Sequence, residues 1–524
     1  VVLAAYERSA GQVWVHSRQG RLALSRRLAY SLEEDLSDFT GPRLEQAVRT
    51  VFAPDRPHPL AGLLAGTWPV ESDPEGAQWA REWLREWGEV AGLNAAQQRA
   101  LILPFAGSLG LIQGPPGTGK THLLAWTLIA LVMRAQQAGT PLRIGVSALT
   151  HQAIDQVLAR VAGLAARWVP DSSGQCFKLG RPAEEEVEGV APLEDAEALA
   201  EAPYALVGAT GFGLYQLFTQ PQGRFPQVFD WVVFDEASQV LAPQALLSLL
   251  YGKGRFLFYG DTAQLPPVVL GEYEAEEEGV RVQDSVLARL LDLYGPGHSV
   301  QLDLSYRMSR ELCAFPSRMW YGNALQAAPE NAGARLALAG PRRGDWIDQV
   351  LEPEKPAVLI LAEHRGRRQQ ADEEVEIVTA VAHRLMVDHG LHPEQLALIS
   401  PHRAQNNATA ERLERLLGGS GLALPLIDTV ERVQGAERDA ILFAFTASDL
   451  EVIESPFLNN PNRFNVAMTR ARKKLIVVGS RAFFAAVPQR EKALEANRCF
   501  KAFGEFCRER GWVFSCTAGE VGTA

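Results

Sequence analysis

The run Gly114-Pro115-Pro116-Gly117-Thr118-Gly119-Lys120-Thr121 satisfies the pattern G-x-x-x-x-G-K-[ST] at every fixed position. Before it, Leu109–Gln113 (LGLIQ) is apolar and strand-like; after it, His122–Met133 is apolar at helical spacing. A strand, a glycine loop and a helix form the context in which this pattern binds phosphate. The glycines let backbone N–H groups converge on phosphate oxygens, and the helix N-terminus adds positive potential. Lys120 is then placed to reach the β- and γ-phosphates, and the Thr121 hydroxyl to ligate Mg2+. The bland alternative is a chance glycine turn, and an eight-residue match in this context argues against it. A bound nucleoside triphosphate is therefore expected.

Composition narrows the rest. At 524 residues and 47% hydrophobic content the chain can fill three or four domains. No apolar run approaches the roughly 20 residues of a membrane span, and no secretory signal opens the chain. It begins Val1-Val2 without Met, which reads as a piece of a longer protein. Cys176, Cys313, Cys499, Cys507 and Cys516 form no CxxC pair, so ordinary reduced thiols in a cytoplasmic protein are expected. The net charge of −11 does not exclude a nucleic-acid partner. The acids concentrate in short runs such as Glu184–Glu186 and Glu272–Glu278, whereas affinity depends on the local groove.

Residues 1–92 read as an accessory region, with a strand at the start, a strand pair over Val13–Leu24 turning at Gln19-Gly20, and stalk-like helices from Ser31 to Phe52. Trp79, Trp83 and Trp87 fall on one helix face; a buried stripe is the commoner reading, stacked bases the rarer one. From 93 to 300, strand-like runs at Leu142–Val146, Tyr204–Val207, Trp231–Phe234 and Arg255–Tyr259 alternate with helical patterns, with a surface insertion read at 163–203. A second series over 301–482 has strands near Ala357–Leu361, Leu396–Ile399, Ala440–Phe445 and Lys474–Val478 but no second phosphate loop. Residues 483–524 read as a helical tail ending strand-like.

Trp231-Val232-Val233-Phe234-Asp235-Glu236 is an apolar strand ending in two acids. In a sheet carrying a phosphate loop, Asp235 would sit beside Mg2+ and Glu236 would take a proton from the attacking water. A second strand end, Phe258–Pro267, carries Gln264, placed to touch the γ-phosphate; its bland reading is a polar loop closed by prolines.

These segments, in order, resemble the superfamily-1 helicases, and within them the 5′→3′ branch that includes the nonsense-mediated-decay RNA helicase and its DNA-acting relatives. The resemblance covers about 94–480. Leu93–Gln97 resembles the Q motif, whose Gln97 would read the adenine edge. Ser147–Gln156 (SALTHQAIDQ) and Gly208-Ala209-Thr210 resemble two strand-binding motifs. Asp235–Gln239 and Gly260–Pro267 resemble motifs II and III, and Leu304-Ser305-Tyr306-Arg307-Met308 resembles motif IV. The resemblance gives Tyr306 the adenine to stack on and Arg307 the γ-phosphate. Ser400–Gln405 matches a segment in which Tyr usually stands at His402. Asp428–Asp439 resembles motif V, with Glu437 at the ribose, and Asn465–Arg472 resembles motif VI, with Arg470 as second arginine finger. Departures are Ser305 for the usual Gln, Ser309-Arg310 for the usual His-Pro, and Val433 where an aromatic is frequent.

The resemblance implies an α/β fold of two RecA-like parallel-sheet domains with a nucleotide cleft between them. It implies ATP with Mg2+, hydrolysis by Lys120, Glu236, Gln264, Arg307 and Arg470, and movement 5′→3′ on single-stranded nucleic acid, DNA favoured over RNA. Thr150, Thr210 and Thr429 are expected at strand phosphates, against the bland reading of capping hydroxyls. His151 and His402 are read as polar loop residues. A monomer with no membrane partner is expected, and a nuclease or other domain upstream of Val1 fits the reading. Two alternatives stay open. One is an ATP-dependent switch regulating such a domain without unwinding. The other is a small-molecule kinase, which shares the phosphate loop but has no use for two arginine motifs.

Overall fold

A computed structural model describes residues 2–7, 12–16, 40–169, 176–180, 187–219, 224–268, 276–277, 280–281 and 283–516. Residues up to Pro42 and from Arg43 onward form separate units. In the first, strand β1 (Val2–Glu7) pairs antiparallel with β2 (Gln12–His16), Tyr6 opposite Val13. Val13 falls in β2, and residues 17–24, which would complete the strand pair expected over Val13–Leu24, lie outside the described residues. Alternation marks a strand but does not choose its partner. The Gln19-Gly20 turn and residues 31–39 of the expected helices lie outside the described residues.

The larger unit is built on two parallel sheets. The first takes β3 (Leu109–Gln113), β4 (Leu142–Ser147), β5 (Cys176–Lys178), β6 (Val190–Pro192), β7 (Tyr204–Ala209), β8 (Trp231–Phe234) and β9 (Phe256–Gly260). Two short pairs lie apart: β10 (Glu276–Glu277) with β11 (Val280–Arg281), and β13 (Leu304–Ser305) with β14 (Gln326–Ala327). Between them β12 (Ser299–Gln301) returns to the first sheet, whose order is β12-β3-β9-β8-β4-β7-β5-β6. The second sheet takes β15 (Ala357–Ala362), β16 (Leu396–Ile399), β17 (Leu426–Asp428), β18 (Arg438–Ala444), β19 (Ala471–Ser480) and β20 (Val513–Cys516), in the order β17-β16-β18-β19-β15-β20. Their cores read as continuous apolar runs because helices cover both faces.

The stretch 163–203, expected as a surface insertion, instead completes the helix His151–Trp168 and adds β5 and β6 to the sheet's open edge. Gly, Pro and Glu hide such short edge strands, and an edge tolerates Pro192 because one side of its ladder is unpaired. At the other end of the chain, Phe500, Phe503 and Phe506 of the helix Glu491–Glu509 pack into the aromatic core around Phe445 and Phe464, and β20 pairs with β15.

Parallel order decides where the site lies. β3, β9 and β8 are adjacent, so Gly114, Asp261 and Asp235 emerge at one edge, the carboxyl end of the strands. The tryptophan stripe lies on the helix Pro74–Ala91, which Asp73 caps by accepting the Gly76 N–H at 2.7 Å. Trp83 is 4% exposed, lies 6.3 Å from Trp87 and 6.1 Å from Trp126 ring to ring, and donates its indole N–H toward the Met133 sulfur. Trp79 packs on Phe105 and Trp87 on Trp168. The stripe is core. Trp83→Ala should cost about 3–5 kcal/mol of stability in urea unfolding; a variant of unchanged stability that binds single strands poorly would restore the base-stacking reading.

Candidate nucleotide site between two sheets

The loop after β3 turns on Gly117 and Gly119, at φ of 73° and 74°, where a Cβ would be strained. Each also permits a close approach. A Cβ on Gly117 would stand 2.5 Å from Arg307 Cβ, and one on Gly119 2.7 Å from Gln97 Nε2. Thr118 Oγ1 donates to Pro115 O at 2.7 Å, Ser305 Oγ to Pro116 O at 3.0 Å, and the Tyr306 N–H to Gly117 O at 2.8 Å. Ser305, a departure from the usual Gln, is thus a buried clasp on the loop. The Gly114 N–H donates to Gly260 O at 2.7 Å, tying the loop to β9.

Gln97 is 1% exposed and doubly engaged. Its Oε1 accepts the Asn94 N–H in a capping box at 3.0 Å, and its Nε2 donates to Thr118 O at 2.9 Å. It braces the phosphate loop, and one amide N–H remains for a base edge. Tyr306 is 40% exposed, its hydroxyl accepting from Asn94 Nδ2 at 3.0 Å, so its ring stands open beside the loop.

Lys120 Nζ lies 2.9 Å from Glu236 Oε1. Burial would push the Glu236 carboxyl up, but the Lys120 ammonium and the Gln239 amide outweigh it and hold the group below its ordinary range. Glu236 sits at φ 51°, a left-handed conformation rare outside glycine, which turns it away from the line of β8. Its neighbour Asp235 is 4% exposed and accepts the Glu236 N–H at 2.9 Å; burial, opposed by Lys120, pushes it up to about 6. A buried carboxyl in that condition is stabilised by a cation. One carboxylate and the Thr121 hydroxyl fit Mg2+, which keeps waters and phosphate oxygens as its other ligands. Among the described residues no group of three His, Cys, Asp or Glu could hold another metal.

The second sheet supplies cations. Arg307 Nε pairs with Glu437 Oε2 at 2.6 Å and its Nη1 donates to Thr469 O at 3.0 Å; Arg472 also pairs with Glu437. Arg470 is 3% exposed; burial and the nearby Arg307 lower its guanidinium to about 9, so it remains charged at neutral pH. Arg470 Nη2 donates to Gln264 Oε1 at 3.2 Å across the cleft. Lys120, Glu236, Gln264, Tyr306, Arg307, Glu437 and Arg470 line one cavity of about 340 Å³. These lie together in one cavity with the phosphate loop, while Gln97 and Asp235 sit behind its lining, against Thr118 and Glu236.

The three threonines lie elsewhere, at carboxyl ends of β4, β7 and β17. Thr150 accepts the Ala153 N–H and Thr210 the Gly213 N–H, each at 3.2 Å, so both are N-caps whose hydroxyl proton is left to donate. Thr429 is 9% exposed and its carbonyl accepts from the Arg432 and Val433 N–H groups. His402 packs on the Phe457 ring at 5.2 Å. Sequence reasoning gave no role to Tyr321, Asn462 or Asn465. Asn462 Nδ2 donates to Thr262 O and Gln264 O, and Asn465 Nδ2 to Ala263 O at 2.8 Å. No local pattern announces contacts made by residues some 200 positions apart.

Two family models, each described as an AAA domain, match residues 92–203 with 210–272, and residues 282–482. The mouse (Mus musculus) protein named DNA replication ATP-dependent helicase/nuclease DNA2 is 29% identical over 424 residues, covering 75% of this chain and 37% of that protein. The Schizosaccharomyces pombe protein named DNA polymerase alpha-associated DNA helicase A is 28% identical over 443 residues, covering 74% of this chain and 63% of its own length. The chain therefore spans less than two thirds of either relative. A solved arterivirus nonstructural protein 10 (helicase) in complex with DNA is similar at TM-score 0.36 and 13% identity, over 77% of this chain and 65% of that one.

Gln97→Ala removes the capping box and the brace on Thr118 together. It should lower unfolding stability by about 1–2 kcal/mol, measured by denaturant titration.

Proposed function

The chain belongs to the Upf1-like branch of the superfamily-1 helicases, and from that premise we propose that it is an ATP-driven motor moving 5′→3′ along single-stranded DNA. The observation that carries the reading is the Arg470–Gln264 hydrogen bond, which joins the two sheets over the cleft holding Lys120 and Glu236. DNA is chosen over RNA because the names of both relatives specify DNA; the direction rests on the branch.

Phosphoryl transfer is catalysed by placement and charge neutralisation. Lys120 leaves Glu236 for the β- and γ-phosphates, and the carboxylate it releases loses the ammonium that lowered its basicity. Glu236 is then the stronger base for the attacking water. A Mg2+ ion held by Thr121 and Asp235 would neutralise charge between the β- and γ-phosphates. Arg307 exchanges Glu437 for the γ-phosphate, and Glu437 is left to accept from the ribose. Arg470 delivers the second positive charge, and Gln264 orients the water. Adenine stacks on Tyr306, with Gln97 offering its remaining N–H to the base edge.

Lys120, Glu236 and Gln264 follow strands of the first sheet, whereas Arg307 and Arg470 pack with the second. Hydrolysis therefore needs the sheets together, and product loss releases them. A strand held at Thr150 and Thr210 on one side and Thr429 on the other feels that change as relative movement of its two grips. We read 93–300 and 301–482 as the moving domains, with 1–92 accessory and 483–524 riding on the second.

The word nuclease in the mouse relative's name favours a companion nuclease, upstream in the same polypeptide or as a partner. All five cysteines are buried, which suits ordinary thiols in a reducing compartment, and we place the protein in the cytoplasm as a monomer. No described helix is long and apolar enough to cross a membrane.

Glu236→Gln should lower strand-stimulated kcat by about 10²–10⁴-fold while ATP still binds, and Lys120→Ala should weaken ATP binding itself. Steady-state ATPase and calorimetric titration separate the two; near-normal turnover by Glu236→Gln would show the base to be wrong. Duplexes with 5′ single-stranded tails should be unwound in preference to 3′-tailed ones in a strand-displacement assay, and the reverse preference would refute the direction.

A further inference from the structure

Tyr321 stands at the end of the helix Arg310–Trp320, which packs in the core of the second sheet. It is 3% exposed, and its hydroxyl crosses to the first sheet, donating to Asp261 Oδ2 at 2.8 Å. Asn465 Nδ2 donates to the same hydroxyl oxygen at 2.9 Å. Asp261 is fully buried and saturated. Oδ1 accepts from Gln113 Nε2 and the Ala263 N–H, each at 3.1 Å, and Oδ2 accepts from Tyr321 and, at 2.8 Å, from Gln264 Nε2.

The directions of these bonds follow from chemistry. The nitrogen end of the Asn465 amide is fixed because it also faces the Ala263 carbonyl, which can only accept. The tyrosine proton therefore points at the carboxylate. The carboxylate in turn holds the nitrogen end of the Gln264 amide, so the oxygen end must face Arg470. The relay runs Asn465 to Tyr321 to Asp261, met from the other side by Arg470 to Gln264 to Asp261. Three of its five side chains come from the second-sheet side and two from the first.

We propose that Tyr321 is a positioning residue for ATP hydrolysis: by donating to Asp261 across the cleft, it anchors the carboxylate that holds the Gln264 amide with its oxygen toward Arg470, and it does so only while the sheets are together. Rotating that amide would present two N–H groups to a guanidinium that can only donate, and the contact would be lost. The inference rests on the motor reading above and adds a residue that acts through Gln264 without touching the nucleotide.

The test is Tyr321→Phe, which keeps the ring and its packing and removes the hydroxyl, compared with wild-type and Gln264→Ala protein in ATPase assays with and without a single-stranded DNA oligonucleotide. Tyr321→Phe should lower strand-stimulated kcat about tenfold, the effect of losing one hydrogen bond to a charged group. KM for ATP and the oligonucleotide Kd should stay within about twofold. In the Gln264→Ala background the same substitution should have little further effect, because the residue it positions is gone. A purely structural role would lower stability and act equally in both backgrounds. Full strand-stimulated turnover by Tyr321→Phe, or an undiminished loss in the Gln264→Ala background, would overturn the inference while leaving the motor reading intact. Wild-type protein with no strand-stimulated turnover would overturn the motor reading and this inference with it.

Discussion

A loop that offers its N–H groups to phosphate must place its carbonyls elsewhere, because buried peptide oxygens left unpaired are costly. In this chain each carbonyl from Pro115 to Gly119 has a partner. Pro115 O accepts from Thr118, Pro116 O from Ser305, Gly117 O from Tyr306, Thr118 O from Gln97 and Gly119 O from Leu123. Two of the five donors, Ser305 and Tyr306, arrive with the segment that leads into the second sheet. The shape of the phosphate loop and the approach of the second sheet are therefore one problem, solved by the same hydrogen bonds.

The cleft is electrostatically provisional. Lys120 holds Glu236 and Arg307 holds Glu437, while Arg470 rests on Gln264 and on the Val466 carbonyl. Each cation has a partner, an acid for Lys120 and Arg307 and neutral oxygens for Arg470, because a buried charge without partners is costly. On the proposed reading, a triphosphate competes for all three against partners already in place. A chain of net charge −11 can bind a polyanion all the same, because affinity follows the local charges and not the sum.

Much of this was legible in the sequence, for physical reasons. Strands buried on both faces, such as Trp231–Phe234 and Leu396–Ile399, leave unbroken apolar runs, and the phosphate loop needs particular residues at particular spacing. The tryptophan stripe followed from helical periodicity. What escaped was of three kinds. β5 and β6, three residues each, are too short to leave a pattern. The contacts of Tyr321, Asn462 and Asn465 depend on how one sheet meets the other, and nothing near them in the chain encodes that. Gln97 shows a third case: its position was plain, but its burial against Thr118 appears only when helix and loop are seen together.

The backbone leaves the first sheet through Leu302 and Asp303, which join β12 to β13, a short strand paired with β14 ahead of the second sheet. Leu302 is still bonded to β3, and Tyr306, four residues on, is already bonded to Gly117. The link has almost no slack. On the proposed motion, a segment tied this closely to the phosphate loop would serve as the pivot, so that parts of the second domain near it would only turn and parts far from it would sweep. Displacement then grows with radius. A sub-ångström change at the phosphates becomes a longer travel at the distant rim, and the length of a stroke is set by the size of the domain rather than by the chemistry that triggers it.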